Sequence, residues 1–187
     1  MTAMAVPEVL GLPRGRALTR EDLDAMPDDG HRYELIDGVL LVSPAPRLVH
    51  QRVIRKLSRI LEDHCPASEE VFFAPVDVVL AEDTVIQPDL LVAAREAFTE
   101  RDLPAAPLLA VEVLSSSTRN IDLLLKKERL RRAGCAHYWV VDPDEPSVTA
   151  WTLVDDEYAE AARATEEERF EVAEPLALTL VPAELVD

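Results

Sequence analysis

Apolar residues recur along the chain with two different periods, and each change of period marks a change of element. In RYELIDGVLLVS, Tyr33, Leu35 and Val39 to Val42 are strand-type residues, and Asp37-Gly38 is a two-residue hairpin signal, so residues 32–43 predict a β-hairpin. From Arg47 to Cys65 the apolar positions Val49, Val53, Ile54, Leu57, Ile60 and Leu61 fall at helical spacing, which predicts one amphipathic helix stopped by Pro66. EVFFAPVDVVL, TVIQPDLLVA and PLLAVEVL then read as three strands. The last two are nearly continuously apolar and therefore central, covered on both faces. A second helix, TRNIDLLLKKERLRRAG, ends at Gly134 as at a C′ glycine and leads into a buried strand, HYWVVDP. SVTAWTLVD, EYAEAARA, RFEVAE and LALTLV predict shorter antiparallel strands. Ahead of all this, Thr19 and Asp22 form a capping box opening the short helix TREDLDAM, ended by Pro27. Residues 1–18 read as a loose lead-in, and 19–187 as a single domain. The order of elements predicts an α/β (α+β) fold, a mixed central sheet with helices packed on it.

Composition changes this picture little, and charge changes it more. Nearly half of the 187 residues are apolar, enough for a proper core. No apolar run approaches a membrane span, and the N-terminal stretch lacks a signal-peptide pattern, so a cytoplasmic protein without membrane contact is expected. Cys65 and Cys135 show no framework spacing and are expected as core thiols. The formal net charge of −17 argues against a polyanionic partner. Its distribution is uneven: PRLVHQRVIRKLSRI holds Arg47, Arg52, Arg55, Lys56 and Arg59 without an acid, and a second basic run from Arg119 to Arg132 includes Lys126, Lys127, Arg129 and Arg131. Such runs are ordinarily solvated helix faces; a phosphate-facing surface is the alternative.

Two acids break the apolar strands. Asp89 follows Pro88 inside VIQPDLLVAA, and Glu112 interrupts LLAVEVL. An unpaired carboxylate in apolar surroundings costs several kcal/mol or takes up a proton. If the strands are neighbours, the two acids converge, and a divalent ion relieves their repulsion. Oxygen-only ligands favour Mg²⁺ or Mn²⁺ over zinc. The ordinary alternatives are a turn-initiating Asp after Pro and a strand glutamate on a solvated face. Lys126, one of three lysines, falls on the line of Leu123, Leu130 and Ala133 and points inward, where it needs acceptors. Asp122, four residues earlier, offers an i,i+4 pair instead. Glu34 is by default an exposed strand residue that can approach the same cluster, and His50, in the first turn of its helix, is by default a surface histidine. Ser115 to Thr118 reads as the loop and N-cap of the second helix.

YELIDGVLLVSPAP, a histidine opening the next helix, VIQPDLLV, LLAVEVLSSST, IDLLLKKERLRRAG and HYWVVDP together resemble the Uma-two family of restriction-endonuclease-like proteins, over roughly residues 18–185. The resemblance implies the PD-(D/E)XK nuclease-like fold, with extra antiparallel strands at the C-terminus, and metal-assisted hydrolysis of DNA. It implies Asp89 and Glu112 as metal ligands, Lys126 as the lysine supplied from the following helix in place of Leu114, and Glu34 as a further acid. His50, Gln87 and Asp122 are accessory positions, Mg²⁺ or Mn²⁺ is the cofactor, and DNA and a second copy of the chain are the partners. SSST in place of SPST and Leu130 at an often aromatic position depart from the family pattern without removing a ligand. Other classes remain open: a nuclease-fold scaffold that no longer cuts, or a hydrolase acting on RNA or small nucleotides.

Overall fold

In this computed structural model, residues 12, 13, 15–115 and 118–187 are described. Most of the expected lead-in, and Ser116 and Ser117 of the expected serine loop, lie outside them.

In chain order the elements are α1 (Arg20–Asp24), β1 (Arg32–Ile36), β2 (Val39–Ser43), α2 (Leu48–His64), β3 (Glu69–Phe73), β4 (Val78–Ala81), β5 (Thr84–Ile86), β6 (Leu90–Ala94) and β7 (Leu109–Val113). A π-helical segment, Ile121–Lys126, runs directly into α3 (Lys127–Arg132). It is followed by β8 (His137–Asp142), β9 (Ser147–Val154), β10 (Glu157–Thr165), β11 (Phe170–Val172), β12 (Leu178–Leu180) and α4 (Pro182–Val186). A six-stranded sheet, ordered β10-β9-β8-β7-β6-β3, forms the centre. Only its β7–β8 pair is parallel, joined by the crossover through α3, so the sheet is mixed as expected.

Strand alternation gives this sheet two buried faces. Leu90, Val92, Val111, Val113, Trp139 and Val141 pack beneath α2, which contributes Val53, Ile54, Leu57 and Leu61. Leu91, Ala93, Ala110, Tyr138 and Val140 point the other way, towards Ile36, Val78, Ile86 and Leu130. Glu112 has the parity of Ala110 and therefore belongs to this second face, buried under the π-helical segment. A four-stranded sheet, β2-β1-β5-β4, closes that side.

Several boundaries differ from the sequence reading. TVIQPDLLVA is not one strand: β5 belongs to the four-stranded sheet and β6 to the six-stranded one, with Gln87-Pro88-Asp89 crossing between them. Pro88 lacks the N–H a continuous ladder requires. EVFFAPVDVVL likewise divides into β3 and β4 around Pro75. The second helix is π-helical in its first part, with the Lys127 N–H reaching back to the Asp122 carbonyl. The C-terminal α4 was not predicted, although Pro182 at its start is a helix-entry signal. The hairpin and the Thr19–Asp22 capping box form as expected, with Asp37 and Gly38 both at positive φ. Leu18, placed in the lead-in, is buried against Leu35 and Val85, and its N–H donates to the Gly38 carbonyl at 2.9 Å.

Candidate active site

The division of TVIQPDLLVA places Asp89 where the chain leaves one sheet for the other, beside the end of β7. Its Oδ2 accepts the Val113 N–H at 2.8 Å and lies 3.1 Å from His50 Nε2, while Oδ1 accepts from Arg32 Nη1 at 2.9 Å. Burial alone would raise its pKa. The His50 hydrogen bond and the charges of Arg32 and Lys126 outweigh that and hold the carboxyl below its ordinary range.

Behind Asp89 sits Lys126, 1% exposed, at the end of the π-helical segment. Its Nζ is 2.8 Å from Glu34 Oε1, 3.1 Å from Glu112 Oε1 and 3.6 Å from Asp122 Oδ1. Burial opposes its charge, but the surrounding carboxylates raise its pKa, so the ammonium stays protonated. Burial raises Glu112 well above the ordinary carboxylate range and raises Asp122 too, with Lys126 opposing both shifts. Asp122 and Lys126, four residues apart, share the inward face of the π-helical segment, while Leu124 and Leu125 are exposed. The Tyr138 hydroxyl donates to the Asp122 carbonyl at 2.8 Å and ties that turn to the sheet.

The structure therefore brings Glu34, Asp89, Glu112, Asp122 and Lys126 together. Gln87 joins through its backbone N–H, which donates to Glu34 Oε1 at 2.8 Å, while its side chain turns to Asp77. Two defaults are corrected. Glu34 is 1% exposed because β1 turns it towards Lys126, and His50 is buried because α2 begins directly over Asp89. Asp122 does not pair with Lys126 instead of the other acids; it shares the ammonium with them.

The sequence reading missed Arg32. Its Nη1 contacts Asp89, and its Nη2 lies 3.4 Å from Glu34 Oε2. The available signal was period-two alternation, which puts residues 32 and 34 on one face of β1.

Four carboxyl groups thus face two permanent cations, Arg32 and Lys126, and burial pushes Glu112 and Asp122 towards their protonated forms. Glu112 Oε2 is buried without a hydrogen-bond partner among the described residues. An orphaned hard oxygen in a cluster of carboxyl groups fits a divalent cation, which would favour their ionised forms. No three His, Cys, Asp or Glu side chains among the described residues stand in metal-chelating geometry, so such an ion would take two carboxylates and complete its shell with water.

A cavity of about 580 Å³ opens onto Asp89, its wall including Arg32, His50, Gln51, Phe73 and Thr118. Arg52, Arg55 and Arg59 continue along the exposed face of α2, with no acidic partner among the described residues. The second basic run does not provide such a surface. Arg119 pairs with Asp142, Arg129 with Asp37, Arg131 and Arg132 with Glu128, and Lys127 lies 3.5 Å from the centre of the Trp151 ring.

A family described as "Putative restriction endonuclease", Uma2, matches residues 20–183. Among solved structures, a crystal structure titled as a putative nuclease belonging to DUF820 from Anabaena variabilis ATCC 29413 is similar, with a TM-score of 0.70 and 17% identity. The likeness covers 90% of this chain and 97% of that one. No curated protein matches.

Proposed function

The chain belongs to the Uma2 family, and from that premise we propose that it is a divalent-metal-dependent endonuclease hydrolysing DNA phosphodiester bonds at the Asp89–Glu112–Lys126 cluster. The observation that carries this reading is the Lys126 ammonium, held between Glu34 and Glu112 behind Asp89 in an otherwise apolar interior. Asp89 and Glu112 are the residues that would hold Mg²⁺ or Mn²⁺. When bound, the ion supplies Lewis-acid polarisation of a phosphate and acidifies water. Because Lys126 stays protonated, it acts as a donor and a fixed positive charge, not as a base. It orients Glu112 and offsets the negative charge that develops on the phosphate. His50 and the Val113 N–H hold Asp89 in place. Arg52, Arg55 and Arg59 supply a cationic track for the nucleic-acid backbone, leading away from the cavity.

A catalytically silent binding protein is the second reading. It is favoured by the burial of Glu112 and Lys126, neither of which lines the cavity. Nicking of supercoiled plasmid with Mg²⁺ or Mn²⁺ separates the two. The wild type should nick, and Asp89→Ala and Lys126→Ala should each fall by about a hundredfold or more. Equal cutting by all three proteins rejects the site, no cutting by any favours the silent reading, and cutting of RNA alone moves the substrate class.

A further inference from the structure

Arg32 contacts both Asp89, which lines the cavity, and Glu34, which does not. Arg32 itself lines the cavity, whereas Glu112 is fully buried and its Oε2 receives no hydrogen bond among the described residues. A guanidinium and a hard cation make the same demand on Asp89, a lone pair on a carboxylate oxygen. Both Asp89 oxygens are already engaged. Oδ2 is taken by the Val113 N–H, fixed in the backbone of β7, and by the buried His50 imidazole at the start of α2. Arg32 takes Oδ1 from the end of a long side chain at the first residue of β1, and its Nε finds no partner among the described residues. Two of the three contacts come from side chains, and of these Arg32 has the longer and more exposed one, at 23% against 11% for His50, and so is the readier to swing away.

We propose that Arg32 is a resident cation that holds the metal's place at Asp89 and, once displaced, turns into the cavity to bind a substrate phosphate. This rests on the metal-dependent reading above and adds to it an exchange of partners. The charge balance supports the exchange: a divalent ion replaces the guanidinium at the acids, and the released fork meets an anion whose geometry it matches. The cavity is large enough to receive that anion with the group attached to it, at about 580 Å³. Arg32 is thus a gate for the metal and a ligand for the phosphate, two roles that exclude each other in time.

Calorimetric titration of Mn²⁺ alone into wild type, Arg32→Gln and Asp89→Ala tests the first role without any turnover. Arg32→Gln should bind Mn²⁺ about tenfold more tightly or better than wild type, and Asp89→Ala should lose binding. Thymidine 5′-monophosphate then tests the second. Saturating Mn²⁺ should strengthen its binding to wild type by about fivefold or more, and Arg32→Gln should abolish that gain. Equal Mn²⁺ affinity in wild type and Arg32→Gln, with loss in Asp89→Ala, overturns the gate and leaves the metal site standing. Absence of Mn²⁺ binding in both wild type and Arg32→Gln overturns gate and metal site together, and an undiminished gain in Arg32→Gln overturns the phosphate role. Arg32→Lys keeps a charge but loses the fork. It should bind Mn²⁺ more tightly than wild type by a smaller factor, which supplies the comparison if the Gln variant does not fold; affinity equal to wild type there counts against the gate.

Discussion

Without the Lys126 ammonium, Glu34, Glu112 and Asp122 would confront one another in the interior, and among the described residues Arg32 is the permanent cation left beside them. Lys126→Met should therefore destabilise the fold by about 3–5 kcal/mol in urea titrations, the range for breaking a buried ion pair from one side. Adding Glu112→Gln should recover part of that loss, a coupling a double-mutant cycle reads directly. A cost under about 1 kcal/mol would mean that these charges do not meet. At Cys135, burial raises the thiol to about 11. The thiolate is the reactive form, so in native protein at neutral pH Cys65 should react with a thiol reagent well before Cys135, and unfolding should equalise them. Above the ordinary thiol value the unfolded chain ionises while the folded one does not, so this group's contribution to stability declines as pH rises towards 11. The sequence made Asp89, Glu112 and Lys126 visible because each interrupts an apolar pattern. It hid Arg32, and it hid the burial of His50, an accessory position by resemblance, because a polar residue at a strand start or a helix start breaks no pattern; only tertiary packing buries them.

Among the elements, the β1–β2 hairpin depends most on one residue. Gly38 has φ +72°, and a Cβ built there would lie 2.5 Å from Ala17 Cβ. Gly38→Ala should cost more than about 1 kcal/mol, from left-handed strain and overlap together, as a lowered denaturation midpoint. The π-helical segment makes a sharper prediction. Deleting exposed Leu124 would let the turn close to α-helical spacing, swing Lys126 away from Glu112 and lower the melting temperature, although no buried side chain is removed. An unchanged melting temperature would show that the π turn does not set Lys126. Periodicity revealed α2, the hairpin and the central strands because each keeps one period throughout. It failed where the period changes within an element. A π turn has no marker in the hydrophobic pattern, and the strand breaks around Pro75 and Pro88 depend on which sheet each half joins.

At the scale of the whole molecule, a net charge of −17 and nucleic-acid binding are compatible only if cations are segregated. They are: the second basic run is consumed by local partners, and the outer face of α2 keeps Arg52, Arg55 and Arg59. The arginine variants Arg55→Ala and Arg59→Ala should each weaken DNA binding without divalent metal. Each should also flatten the dependence of log K on log salt by about 0.9 for every phosphate that is no longer neutralised. Unchanged slopes would remove α2 from the interface. Whether the acids bind a metal is settled most directly by anomalous diffraction from crystals of the wild type soaked in Mn²⁺. We predict one peak within coordination distance of both an Asp89 and a Glu112 carboxylate oxygen, with the Arg32 guanidinium withdrawn from Asp89. Density showing Asp89 still paired with Arg32 and no peak beside Glu112 would contradict the account.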